Sequence, residues 1–384
     1  MRLLHTSDWH VGRTFHGRDL LEDQRSVLAA IAELVAEHRV DAVLIAGDLY
    51  DRAVPSADAI AVLTEAFSAI RAAGAQIVAS AGNHDSGPRL GAFSDFLAAG
   101  GLHLRADPQR LVEPVLLPDA AAPEVACYPV PYLEPEVVRR RLGLPGPASH
   151  QAVMSVALQH IREDFGRRKR EHPELHGVAM AHAFVVGASP AGSERSIAVG
   201  GVESVGAEVF DGLDYVALGH LHGAQQVSPQ LRYSGSPLAY SFNEAGHRKS
   251  VTLVELAAGR SMRISELPLP VPRPLVELTG TLQELLAGYG EYTEHYLSAR
   301  LTDPVRPLEP MRRLQQKFPY AVTLSWQPPE PTAHTVGVDV ARAGITDVEL
   351  VHTFIAECRG STATATEAGL IDQALALARA GGGE

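Results

Sequence analysis

Five times along the chain a short apolar run ends in a turn residue and then in a carboxylate, an amide or an imidazole. Arg2-Leu3-Leu4 leads to Ser7-Asp8, Ala42-Val43-Leu44-Ile45 to Gly47-Asp48, and Gln76-Ile77-Val78-Ala79 to Gly82-Asn83. Gly177-Val178-Ala179-Met180 leads to Ala181-His182, and Tyr215-Val216-Ala217-Leu218 to Gly219-His220. Runs this short, closed by turn signals, are buried strands rather than helices. Between the first three lie helical patterns, about 20–38 and 56–73. A chain that alternates strand and helix in this way is confined to a layered α/β architecture. Its polar residues gather where loops leave the strand ends, the usual place for ligand sites in such sheets.

The length, 384 residues, exceeds what one ordinary core organises and implies a large domain with smaller appendages. The large domain is expected over 1–267. Its later part, 228–266, reads as antiparallel strands joined by turns, Leu231 to Pro237 and Ser250 to Leu256. A proline-rich bridge follows, with Pro268, Pro270, Pro272 and Pro274. Residues 275–335 are expected to form a small α+β domain: strand, helix, strand, helix (about 308–317), strand. Residues 340–384 are expected to form two helices, about 346–358 and 364–380. Gly360-Ser361-Thr362 splits them, with Ser361 or Thr362 as N-cap of the second. No apolar stretch is long enough to cross a bilayer without a charge. Two cysteines far apart, Cys127 and Cys358, argue against a disulfide framework and for a reducing cytoplasm. The net charge of -12 argues against broad capture of nucleic acid by the chain alone. Bound divalent cations or a partner subunit would supply the positive charge that a nucleic-acid substrate needs.

Five clusters carry the chemistry: Asp8-Trp9-His10; Gly47-Asp48-Leu49-Tyr50-Asp51; Gly82-Asn83-His84-Asp85; His182; and Gly219-His220-Leu221-His222. Oxygen and nitrogen donors without a thiolate suit Mn²⁺, Mg²⁺, Fe or Zn²⁺. Spaced one residue apart on an extended segment, Asp8 and His10 point to one side, as do His220 and His222. A carboxylate such as Asp48 has two oxygens and can bridge two ions. Two ions about 3.5–4 Å apart clamp the attacking and leaving oxygens of a displacement at phosphorus. Taken singly, each cluster is commonplace: an Asp-x-His, a Gly-Asp turn, a Gly-Asn-His-Asp turn, a core histidine. All five in one order, each closing a strand-like run, are not.

The order D-x-H, G-D-x-x-D, G-N-H-D, H, G-H-x-H resembles the calcineurin-like metallophosphoesterase superfamily. That resemblance implies an α/β (α+β) fold, with two mixed β-sheets sandwiched and flanked by helices around a dinuclear centre. It narrows over Thr6 to Arg18, over DYVALGHLH at 214–222, over YSGSP at 233–237 and over Ser241-Phe242-Asn243-Glu244. These segments resemble a family of bacterial nuclease subunits that process broken DNA. The resemblance spans about residues 1–256. By position and length, 275–335 fits that family's capping domain and 340–384 its partner-binding helices.

By this resemblance Asp8, His10, Asp48 and His222 would hold the first ion. Asp48, Asn83, His182 and His220 would hold the second, with Asp48 bridging. The ions would be Mn²⁺, with Mg²⁺ as the alternative. His84 would bind no metal but face the scissile phosphate, stabilise developing charge and protonate the leaving 3′ oxygen. Asp51 would orient or charge it, and Asp85 would be structural support. Arg13, His16 and Arg18 are candidates for DNA contact. The basic runs at 139–141 and 167–170 read as solvated helix faces. The implied activity is metal-dependent hydrolysis of phosphodiester bonds, a double-strand 3′–5′ exonuclease and a single-strand or hairpin endonuclease, in DNA repair, replication and recombination. The implied partners are a long coiled-coil ATPase, DNA ends and hairpins, and a second copy of the chain within a heterotetramer. The helices near 56–73 and 88–99 would build that homodimer. The implied place is the cytoplasm, at the nucleoid, with no membrane. The absence of G-x-x-x-x-G-K-[ST] agrees with an ATPase on another chain. The rival is a phosphatase or cyclic-nucleotide phosphodiesterase on the same centre, since fold and metals do not fix a substrate. The appended domain and tail helices speak against it, and the intact donor set speaks against a scaffold without catalysis.

Overall fold

The apolar runs become strands and the periodic segments helices. β1 (Arg2–Thr6) leads to a small ribbon of β2 (Thr14–Phe15) and β3 (Arg18–Asp19), then to α1 (Leu21–Glu37), β4 (Ala42–Ala46), α2 (Ala57–Ala72) and β5 (Gln76–Ser80). The short α3 (Gly87–Leu90) and α4 (Ser94–Ala99) precede β6 (Leu102–Arg105), β7 (Val115–Leu117) and β8 (Val125–Pro129). Next come α5 (Pro135–Val138), the long α6 (His150–Glu171), β9 (His176–His182), β10 (Phe184–Val185) and β11 (Ser204–Val205). β12 (Tyr215–Gly219), β13 (Gln225–Gln226), β14 (Leu231–Tyr233), β15 (Ser250–Glu255) and β16 (Arg263–Pro268) follow. The computed structural model describes residues 1–118, 123–144, 146–190, 194, 204–257, 261–329, 346–359 and 361–381. The expected domain edges at 335 and 340 lie outside them. Contacts divide the chain into two compact units, Met1–Val276 and Glu277–Glu384. No helix among the described residues is long and apolar enough to cross a membrane.

The larger unit holds two six-stranded mixed sheets, ordered β16-β15-β1-β4-β5-β6 and β13-β14-β12-β9-β8-β7. β1, β4, β5 and β6 run parallel, as do β8, β9, β12 and β14. Leu3, Leu44, Val78 and Val254 of the first sheet and Cys127, Val178, Met180 and Ala217 of the second share one buried cluster. Alternate residues of the second sheet, Tyr128, Ala179, Ala181, Val216 and Leu218, turn the other way. They join Val153, Ala157, Leu158 and Ile161 of α6, as the two-residue period of a strand requires. α1 and α2 bury the stripes Val27, Ile31, Val35 and Val62, Leu63, Ile70. The result is a sandwich of two mixed sheets flanked by helices.

One expectation is corrected. The runs at 231–237 and 250–256 do not pair with each other. β14 lies parallel to β12 in the second sheet, and β15 lies antiparallel to β1 in the first. Alternation marks a strand but not its partner. The chain between them therefore crosses from one sheet to the other.

In the second unit, β17 (Leu275–Gly280), β18 (Tyr296–Leu301) and β19 (Ala321–Trp326) form a three-stranded sheet, with α7 (Leu282–Ala287) and α8 (Pro310–Lys317) between strands. Leu285, Leu297, Leu301, Leu314 and Phe318 are its buried core. α9 (Asp347–Arg359) and α10 (Ala365–Gly381) end the chain. The cap of α10 is Thr364, not Ser361 or Thr362. Its hydroxyl accepts from the Glu367 N–H while Glu367 accepts from the Thr364 N–H. This is a capping box, repeated at Thr281/Glu284 and Thr346/Glu349.

Candidate metal centre

The C-terminal ends of β1, β4, β5, β9 and β12 bring their closing residues together. Main-chain bonds zip the loop after β1 to the loop after β4: Asp8 N–H to Gly47 O at 3.1 Å and His10 N–H to Asp48 O at 2.9 Å. Two glycines make this crowding feasible. A Cβ on Gly219 would sit 1.8 Å from the Ala46 carbonyl oxygen, and one on Gly82 would sit 2.1 Å from Asp48 Oδ1. Asp8, His10, Asp48 and His220 all have positive φ, 54°, 44°, 52° and 101°. Such backbone is costly for residues other than glycine and collects at functional sites. It also changes the reason for the convergence. Asp8 and His10 share a side because two left-handed kinks turn the loop, not because the segment is extended.

Among the described residues three groups of ligand atoms are close enough to hold an ion: Asp8, His10 and His222; Asp8, Asp48 and His182; and His10, Asp48 and His84. Asp48 Oδ2 is the hub, 3.6 Å from His10 Nε2, 3.4 Å from His182 Nε2 and 4.0 Å from His84 Nε2. Asn83 Oδ1 is 2.9 Å from His182 Nε2. The His220 ring stands 5.4 Å from that of His182, and the His220 main-chain N–H is donated to the Asp8 carboxylate. Burial and the neighbouring Asp48 push the Asp8 carboxyl up to about 6 against the pull of His182 and His222. Burial acts on Asp48 too, but His182, His10 and His84 outweigh it and hold the carboxyl far below its ordinary range. His182 is raised to about 9: burial opposes its charge, and Asp48 and Asp8 win. Burial lowers His10 and takes His220 down to about 3. Among the described residues no lysine or arginine forms an ion pair with Asp8 or Asp48. Among the described residues the close cationic partners of these two buried carboxylates are imidazoles. Divalent cations fit this need and this donor set.

His84 is the most open of the five imidazoles, 9% exposed against 1% for His10 and His182, and the neighbouring Asn83 is half-buried. The His84 main-chain N–H is donated to Asp48 Oδ1 at 2.8 Å, and the ring Nδ1 bonds the Asp51 main-chain oxygen at 2.7 Å. The orienting contact from Asp51 is thus its carbonyl. The carboxylate stands 3.9 Å from His84 Nδ1, 3.8 Å from His10 Nδ1 and 3.4 Å from Arg13 Nη1. Asp85 accepts the N–H groups of Gly82, Leu49 and Tyr50, tying two loops. Arg13 lies over the Tyr240 ring, 4.8 Å from its centroid. His16 packs on Phe15 and Phe242, and Arg18 lies on exposed β3. Sequence reasoning missed Gln24, Tyr240, Glu244 and Lys249. Gln24 holds the His10 carbonyl and the Gly12 N–H, and the Tyr240 hydroxyl donates to the Trp9 carbonyl at 2.6 Å.

The family model of calcineurin-like phosphoesterases matches residues 1–224. The SbcD subunit of nuclease SbcCD from Bacillus subtilis (strain 168) is 35% identical over 336 residues, 83% of this chain and 84% of that one. The subunit of the same name from Escherichia coli (strain K12) is 32% identical over 294 residues, 75% and 73% of the two chains. The chain belongs to the SbcD family of calcineurin-like phosphoesterases. It is a hydrolase of phosphoesters. The calcineurin-like family uses two divalent ions, and the clustered carboxylates and imidazoles are candidate ligands for them.

Proposed function

We propose that this chain is the metal-dependent nuclease subunit of an SbcCD-type complex. One observation carries the reading: a buried ring of oxygen and nitrogen donors around Asp48 is most open at Asn83 and His84, in a relative of the SbcD subunit of nuclease SbcCD. Asp8, His10, Asp48 and His222 hold one Mn²⁺, and Asp48, Asn83, His182 and His220 the other. Held there, divalent ions would supply positive charge for the phosphodiester and acidify the attacking water. His84 donates its Nδ1–H to the Asp51 carbonyl and turns Nε2 to the substrate; as the imidazolium, protonated on both nitrogens, it would give the Nε2 proton to the leaving 3′ oxygen and take a proton back from solvent. Asp51 orients it. Arg13, His16 and Arg18 contact the DNA. The activity is 3′–5′ exonuclease on double-strand ends and endonuclease on single strands and hairpins. The partner is an SbcC-type coiled-coil ATPase, and residues 340–384 bind it; 275–335 cap the nuclease domain, 1–267. Two copies of the chain pair within the heterotetramer, in the cytoplasm at the nucleoid.

The test is cleavage of hairpin and blunt duplex DNA with Mn²⁺, with and without the ATPase. Wild type cuts, and His84→Gln loses at least about 100-fold in rate while retaining both ions. Hydrolysis of small phosphate esters with inert DNA overturns the nuclease reading in favour of a phosphatase.

A further inference from the structure

The segment that crosses from β14 to β15 sets an ion pair behind one imidazole of the site. Glu244 and Lys249 are 1% and 4% exposed, and their side chains meet. A buried ion pair is not favoured over a packed apolar pair by stability alone. Both side chains also reach His222. Glu244 Oε1 accepts the Tyr240 N–H at 3.1 Å and lies 3.6 Å from His222 Nδ1. Lys249 Nζ donates to the His222 carbonyl and to Ser236 Oγ, both at 3.1 Å. His222 Nε2 points away from them, 3.1 Å from His10 Nε2. The Tyr240 ring stands edge-on to His10 and His222 at 5.3 and 5.4 Å. Main chain and ring of His222 are therefore fixed together.

We infer that Glu244, with its carboxylate locked by Lys249, is a positioning residue that keeps the proton of the neutral His222 ring on Nδ1 and turns the Nε2 lone pair to the first ion. This rests on the two-ion reading above. A carboxylate behind a ligating imidazole fixes its tautomer and raises its basicity, and losing such a partner costs about 10–100-fold in metal affinity. His182 is backed differently: its Nδ1 meets a neutral acceptor, the Ala46 carbonyl, at 3.0 Å. Loss of Glu244 therefore weakens one binding event and spares the other.

Calorimetric titration of Mn²⁺ into the EDTA-treated full chain tests this. The variants are Glu244→Leu/Lys249→Met and Glu244→Gln/Lys249→Met. Each removes both charges, so neither leaves a buried charge unpaired. Wild type shows two events. The Leu/Met variant weakens one by about 10–100-fold. The Gln/Met variant, which restores an acceptor at the same place, recovers most of it. Wild-type affinities in Leu/Met, or a Gln/Met variant as weak as Leu/Met, overturn the inference. A Leu/Met variant that does not fold passes the decision to the wild type. Long-range ¹H–¹⁵N spectra of the metal-free protein then show His222 protonated on Nδ1, and protonation on Nε2 overturns the inference. A wild type that binds no Mn²⁺ overturns the two-ion reading instead, and the same spectra still decide the role of Glu244.

Discussion

His5 is fully buried on β1 and spends both ring nitrogens across the gap between the sheets. Nδ1 lies 2.9 Å from the Tyr215 hydroxyl and Nε2 3.1 Å from the Leu218 carbonyl. Only the neutral ring protonated on Nε2 accepts from the one and donates to the other. Burial lowers its pKa from 6.5 to about 3, although the Leu218 carbonyl pulls upward. The folded chain thus takes this proton later than the unfolded chain. The contribution is complete above pH 6.5 and is lost as pH falls from there towards 3. Between pH 7 and 5 the loss is about 2 kcal/mol. Urea denaturation of EDTA-treated protein at both pH values measures it. His5→Gln loses less stability than wild type by about that amount, and equal losses refute the assignment. At this scale the candidate ligands were legible because few residue types hold a cation and each follows a strand. Gln24 was legible in principle, as a polar residue on the apolar stripe of α1 with Val27, Leu28 and Ile31. Glu244 and Lys249 were not, because five residues apart in a loop is no periodicity. The pairing of Asp51 with His84 was legible from position, but not the atom that makes the contact, since it belongs to the main chain and any residue supplies a carbonyl.

At the scale of elements, the end of α6 shows what a basic run can hide. Arg167 and Arg168 do not form a free cationic face. Both donate to Asp164 at 2.7 Å, and Asp164 also accepts the Tyr128 hydroxyl of β8 at 2.9 Å. Lys169 Nζ donates to the Leu175 carbonyl and ties the turn towards β9. Burial pushes the Asp164 carboxyl up, but Arg168, Tyr128 and Arg167 outweigh it and hold it below the ordinary range. A carboxylate lowered in this way stabilises the fold above its unfolded pKa, and the benefit disappears as pH falls through the lowered value. Asp164→Asn is expected to cost about 1–3 kcal/mol at pH 7. Urea denaturation of both proteins checks this, and the difference should shrink in acid below the usual carboxylate range. A variant as stable as wild type at pH 7 shows that the clamp contributes nothing. The strand and helix positions themselves were legible from periodicity and turn residues. The sheet to which a strand belongs was not, as β14 and β15 show, because a strand's partner is chosen by the whole fold. The cap of α10 was legible and was misread. Thr364-Ala365-Thr366-Glu367 carries the reciprocal Thr and Glu of a capping box, whereas Ser361 and Thr362 are two or three residues too early.

At the scale of the molecule, the surface beside the site carries an exposed apolar groove. A groove of about 570 Å³ is lined by Tyr50, Val54, Ile60, Leu63, Phe67 and Leu97. Beside it Phe93 and Phe96 are 76% and 82% exposed. Phe93 has φ of 61° and breaks the expected helix at 88–99 into α3 and α4. Exposed apolar surface of this kind is a candidate interface in a chain whose net charge is -12. A second copy is the occupant expected here, because α2 and α4 can meet their own equivalents across a two-fold axis with the same patch on both sides. The groove also backs directly on the site: Tyr50 follows Asp48 by two residues, and Ser86, which lines it, follows His84 by two. Sedimentation of wild type at micromolar concentration should therefore give a dimer, and Ile60→Asp/Phe96→Glu a monomer. Both side chains are solvent-exposed in one copy, so each substitution should change that copy's stability by no more than about 0.5 kcal/mol. The monomer should still bind Mn²⁺, since every candidate ligand comes from the same chain. A monomeric wild type, or a variant that remains dimeric, sinks this interface. A monomer that loses Mn²⁺ instead shows that the partner copy shapes the loops after β4 and β5.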